Sequence, residues 1–302
     1  MAKEEYTLFM IQQVEKTLFK KAAMLALFLA PIVYISQIFA VAIHEIIGHG
    51  LTAVSLGGRF NGFVLRLDGM GWAFSVLPSD ATETDMMIFL ASGVTATIAT
   101  GLIFLVLAYV VRKRLAVRLS LLVLSFSLLM EGIPYVFWNS YHPVPPGDIG
   151  QIITLWHDVQ LPGEIKIHTF IFVISGFVFF TMTFFLYALL FQGIEEALLA
   201  GGRFSPKERF WTLLLFLAIP GSAVWFMFDW NQLAPGIGVV PCVVGAVSTL
   251  ISATILYRFS LRPCSYVPRM NITWYHLLLS CGCLVIIVVL TLFWFQNGVR
   301  WT

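Results

Sequence analysis

Residues 24–50 read MLALFLAPIVYISQIFAVAIHEIIGHG. The run Met24–Ile43 is long enough and apolar enough to cross a bilayer as a helix. It leads directly into His44, Glu45 and His49. Ionisable side chains at the edge of hydrocarbon are costly, so their presence marks a candidate functional site.

The rest of the chain has the same membrane character. Of 302 residues, 59% are hydrophobic and only 11% charged, too few polar groups to cover a soluble domain. Mean hydropathy is +0.88. Further apolar runs lie at Met86–Val111, Leu115–Trp138, Ile167–Leu199, Phe210–Trp230, Gly236–Tyr257 and Trp274–Phe295. The expected fold is an all-α polytopic membrane protein with about seven transmembrane helices and a small β-hairpin after the first. With the N-terminus in the cytoplasm, only Arg59, Arg66, Lys166 and Arg300 of the 18 Lys and Arg residues fall on the opposite side. This bias predicts an N-in, C-out topology. The net charge of +2 therefore reads as a topology signal, with the lipid bilayer as partner and no nucleic acid. Ala40-Val41-Ala42 has the form of a signal-peptide cleavage site, but the apolar run is longer than such peptides carry, and an uncleaved span is expected. The cysteines Cys242, Cys264, Cys281 and Cys283 show neither zinc spacing nor a disulfide framework.

Three regions are expected: a basic amphipathic segment over 1–22, a membrane core over 23–151, and a C-terminal transmembrane region over 152–302. The first helix should run past the histidines to Leu56 and end at Gly57-Gly58. Phe63–Leu67 and Trp72–Leu77 are rich in β-formers and flank Asp68-Gly69-Met70-Gly71, which predicts the hairpin. The connection after the third span contains His142-Pro143-Val144-Pro145-Pro146-Gly147-Asp148, whose prolines forbid a regular helix and make a stiff approach to Asp148.

A hydrolytic zinc centre needs about three protein ligands and a base that takes a proton from water. The zinc-peptidase pattern HExxH places its histidines four apart. Here His44 and His49 are five apart, about 140° around a regular helix. A π-bulge at Ile46-Ile47 would bring both imidazoles together and leave Glu45 free as the base. Alternatively, Glu45 and His49 are the ligands and His44 has another role. The third ligand should come from the same membrane face. The first and third spans both end there, and the loop after the third carries Asp148. Asp68-Gly69 is the second choice. Glu131, inside the third span, and Glu195-Glu196 could line a water path.

These stretches resemble the site-2 protease family of intramembrane zinc metallopeptidases. His44-Glu45 with Gly48-His49-Gly50 is similar to the family's His-Glu-x-Gly-His. Pro143-Val144-Pro145-Pro146-Gly147-Asp148-Ile149-Gly150-Gln151 is similar to its Pro-x-Pro-Pro-Leu-Asp-Gly-Gly stretch, with Gly147 in place of Leu and Ile149 in place of the first Gly. The resemblance covers about residues 24–151, a three-span core, and leaves four further helices without a familiar motif. It implies Zn2+ held by His44, His49 and Asp148, with Glu45 as general base and then proton donor to the leaving amine. It also implies a β-element that holds the substrate extended, and an oxyanion donor for which Asn139 and His142 are the nearest residues. The extra residue in the motif has a precedent in the soluble dipeptidyl peptidase III family. The function expected is a zinc metalloendopeptidase acting on a membrane protein or peptide substrate. The alternatives are a non-catalytic relative that binds and regulates membrane proteins, and a metal-coupled transporter. A free Glu45 favours the first, since a transporter needs no base.

Overall fold

The computed structural model describes residues 2–67, 69–111, 113–141, 147–155, 160–161, 165–199, 211 and 272–301. Helix α1 spans Ala2–Ala42, a π-helical segment Ile43–Gly50 continues it, and α2 completes it at Leu51–Ser55. One helix runs through the segment 1–22 into the first span. Pro31 sits inside α1. Proline is tolerated within transmembrane helices, where neighbouring helices and hydroxyl side chains compensate for the freed backbone groups. The helix stops at Gly57, whose φ of +82° few other residues adopt easily. The Gly57 and Gly58 N–H groups donate to the Val54 and Ala53 carbonyls at 3.0 and 2.8 Å, which is a Schellman ending.

Strands β1 (Arg59–Leu65) and β2 (Gly71–Val76) form the expected hairpin, with Phe63 opposite Ala73 and Leu65 opposite Gly71. Helix α3 (Glu83–Val110) starts from a capping box of Thr82 and Asp85. Then come α4 (Leu115–Tyr141), α5 (Asp148–Leu155), a two-stranded pair β3 (Gln160–Leu161) and β4 (Ile165–Lys166), and α6 (Ile167–Leu199). Among the residues further on, α7 covers Trp274–Leu290, followed by a π-wound Thr291–Phe295 and β5 (Val299–Arg300).

Lys20–Ser55, Glu83–Val110, Leu115–Ile133 and Trp274–Phe295 are helices long and apolar enough to cross a membrane. They account for four of the seven expected spans. The expected Ile167–Leu199 run is the long helix α6. The expected spans Phe210–Trp230 and Gly236–Tyr257 lie outside the described residues, apart from Trp211. Large apolar side chains such as Ile103, Val106, Val110, Leu278, Val285 and Ile286 stand exposed on α3 and α7, as lipid-facing positions would.

One buried cluster joins Leu25, Phe28 and Leu29 of α1 to Leu115, Leu119 and Leu122 of α4 and Leu190 and Ile194 of α6. A second lies nearer the histidines and packs Tyr34, Ile38 and Val41 against Phe63 and Leu65 of β1, with Phe295 and Val299 beside them. The sheet has an unexpected third member. Its order is β2-β1-β5, because Gly62 and Phe63 pair with Arg300 and Val299. Gly62 has φ +141°, and a Cβ there would run into the Val299 carbonyl. Trp301 secures the junction: its Nε1–H donates to the Phe60 carbonyl at 2.7 Å and its backbone N–H to the Asn61 carbonyl at 3.1 Å.

Candidate metal centre

The extra isoleucine of the motif is accommodated by a change in helical winding. Ile43–Gly50 is π-helical throughout, and the Leu51 N–H reaches back to the Ile46 carbonyl, five residues earlier. Hydrogen bonding at i→i+5 sets residues five apart nearly above one another. His44 and His49 therefore meet, with ring centroids 5.0 Å apart, while Ile47 points outward. The expected bulge is present, spread over the whole motif instead of confined to Ile46-Ile47.

Asp148 is brought to the same point by α5. Ile149, Ile152 and Ile153 of that helix pack against Leu90 and Val94 of α3, which fixes the helix at its acidic end. His44 Nε2 and His49 Nε2 each lie 3.1 Å from the same Asp148 Oδ2. Burial disfavours the charged carboxylate of Asp148, but hydrogen bonds from both imidazoles and their charge outweigh it and bring its pKa down to about 2.

Helix α3 forms the back wall. A Cβ on Gly48 would overlap the Gly93 backbone, so the two helices touch there without side chains. A Cβ on Gly93 would in turn strike the His44 ring, with Cδ2 at 2.6 Å and Cε1 at 2.7 Å. One turn earlier, the Phe89 carbonyl accepts the His49 Nδ1–H at 2.9 Å. A carbonyl can only accept, so Nδ1 carries a proton and Nε2 is the ring nitrogen left to face a metal. Gly93→Ala should push the His44 ring aside and weaken zinc binding by about tenfold or more while the helices stay folded; zinc titration beside circular dichroism checks this.

The donor set fits zinc. Two imidazoles and a carboxylate, with ligand atoms all within 4.8 Å of one another, match a catalytic site of three protein ligands and one open position. Tetrahedral ligands at zinc distances stand about 3.3 Å apart, close to the observed 3.1 Å contacts. Glu45 is not one of the converging ligands. It is buried beside them, and its carboxylate faces the Ala73 backbone N–H of β2 while interacting with the charges of His44, His49 and Asp148.

Asn139 falls on α4, while His142 and Asp68 lie outside the described residues. Gly93 and the Phe89 carbonyl were missed from sequence, since a glycine in an apolar helix and a backbone oxygen give no motif.

A π-wound His-Glu helix, a small sheet and an acid leading its own helix come together beside helices apolar enough to cross a membrane. Residues 19–137 match the family model described as Peptidase M50B-like. The chain is an integral membrane protein with a Peptidase M50B-like region, in keeping with the site-2 protease family. The matched stretch takes in the histidine helix, the hairpin, α3 and most of α4, and it ends before Asp148. No curated protein and no solved structure gives a significant match.

Proposed function

We propose that this chain is an intramembrane zinc metallopeptidase that hydrolyses peptide bonds in membrane-embedded or membrane-adjacent substrates. The observation that carries the reading is the convergence of His44, His49 and Asp148 with Glu45 left beside them as a spare carboxylate. A transit site for a metal has no use for such a base.

His44 Nε2, His49 Nε2 and a carboxylate oxygen of Asp148 would hold the ion. Bound there, zinc supplies Lewis acidity, which polarises a carbonyl and makes water acidic enough to lose a proton. Glu45 takes that proton and then delivers it to the leaving amine, one carboxylate serving as base and acid in turn. Its burial among apolar walls excludes competing bulk water. β2 is an edge strand of the sheet, and Ala73 on it faces Glu45. A substrate unwound from its helix can add to that edge as an extended strand, which exposes its peptide bonds to attack. The proposed orientation is N-terminus in the cytoplasm, with the centre toward the opposite face.

The test is metal analysis of the purified chain together with cleavage of membrane-anchored peptides. About one zinc per chain and chelator-sensitive cleavage are expected. Protein that neither retains nor rebinds zinc would defeat the reading.

A further inference from the structure

Exposed aromatic residues mark two levels along α7 and its π-wound extension. Trp274 and Tyr275 stand exposed at the start and Phe293 and Trp294 at the end, with exposed Leu278 and Val285 between them. Trp and Tyr collect at the boundary between hydrocarbon and headgroups. The two levels lie about twenty residues apart, ~30 Å of helix and one hydrocarbon thickness. The metal centre is level with the second. Phe295 and Ile46 of the motif pack against the same buried cluster. Trp301 meets the Phe60 ring with centroids 5.2 Å apart, and a Cβ on Gly50, the residue after His49, would lie 3.0 Å from that ring. At the first level His276 meets Phe28 of α1, with ring centroids 6.3 Å apart, and His49 follows Phe28 by about twenty residues. Helix α3 gives the same measure. Its Phe89 carbonyl binds His49, and Tyr109, 72% exposed, follows about twenty residues later. Exposed Lys113 and Arg114 come just beyond Tyr109. In the other direction, acidic Glu83 and Asp85 stand only about one to two turns before Phe89. The sheet has the composition of a boundary too: Trp72 and Trp301 are exposed, and the Arg300 guanidinium lies 4.4 Å from the centroid of the Phe74 ring.

We propose that the metal centre sits at the boundary between hydrocarbon and headgroups, and that its substrates are peptide bonds in the terminal turns of a membrane span, not bonds at mid-bilayer. The substrate assignment rests on the peptidase reading above; the depth does not. Hydrolysis consumes water, whose hydroxyl goes to the acyl carbon and whose proton goes to the leaving nitrogen as the C–N bond breaks. The boundary supplies that water and the bilayer centre does not. A strand added to β2 must first leave its helix. The end of a helix already lacks intrahelical partners for four of its backbone groups, so unwinding there breaks few hydrogen bonds. Unwinding at mid-span would strand polar groups in hydrocarbon.

Depth and cleavage are read separately on the full chain in phosphatidylcholine vesicles. A nitroxide is attached at Leu51→Cys, beside the motif, or at Val285→Cys, midway between the two aromatic levels; both positions are exposed. Cys242, Cys264, Cys281 and Cys283 are replaced by serine in each. The Leu51 label is expected to collide several-fold more often with a water-soluble nickel chelate than the Val285 label. A Leu51 label as shielded from the chelate as the Val285 label overturns the boundary placement. The unaltered chain provides the second measurement. Single-span peptides carry one identical cleavable segment at either end of the span or at its middle. Cleavage is expected several-fold faster with the segment at an end; without that preference the substrate assignment falls. Zinc-loaded protein that cuts none of these peptides overturns the peptidase reading and the substrate assignment with it, while the label depths still decide where the centre lies.

Discussion

Replacing Glu45 by glutamine is expected to stop peptide cleavage while leaving zinc in place. Glutamine keeps the size and hydrogen-bonding reach of glutamate but cannot take a proton at neutral pH. A positioned general acid–base contributes about 10²–10⁴-fold to rate, or about 3–5 kcal/mol of transition-state stabilisation. Zinc should stay because His44, His49 and Asp148 converge without Glu45. Cleavage of a membrane-anchored peptide and metal content are measured on the same preparation. Loss of zinc in this variant would make Glu45 a ligand, which is the other reading of the motif's spacing. Unchanged cleavage with zinc retained would remove Glu45 from the chemistry altogether.

Asp148→Ala is expected to have the larger effect on the metal. One carboxylate oxygen lies 3.1 Å from both imidazoles, so its removal takes away a ligand and the charge that holds the rings toward each other. Loss of zinc affinity should exceed the 10–100-fold typical of outer partners. A hundredfold corresponds to about 2.8 kcal/mol. Fluorescent chelator competition reads this directly, and cleavage should fall with occupancy. Normal affinity in Asp148→Ala would send the search for a third ligand elsewhere, and Asp68 would become the next to test.

Much of this was legible from the chain. Apolar runs located the described membrane-spanning helices, because hydrocarbon demands long uninterrupted apolar segments. The five-residue spacing of His44 and His49 pointed to a widened helical turn, because a regular helix would splay the imidazoles. The hairpin showed in its β-formers and glycine turn, but its limits did not: β1 begins at Arg59, earlier than the apolar pattern suggested. What stayed hidden depends on distant contacts. Two-residue β5 has no periodicity, and its partner lies far back in the sequence. Gly93 matters only because a histidine from another helix occupies the space its side chain would fill. Glu131 was visible as an unusual acid within a span, yet its neighbour Gln37 appears only when α1 and α4 are side by side.

The short strand after α7 fixes a direction. α1 leads up to β1 and α7 leads up to β5, and the two strands hydrogen-bond in one sheet. Both helices must therefore emerge on the same side of the bilayer, the side where His49 sits. A reporter joined after Trp301, such as a tag accessible from only one compartment, would then reveal which compartment the histidines face.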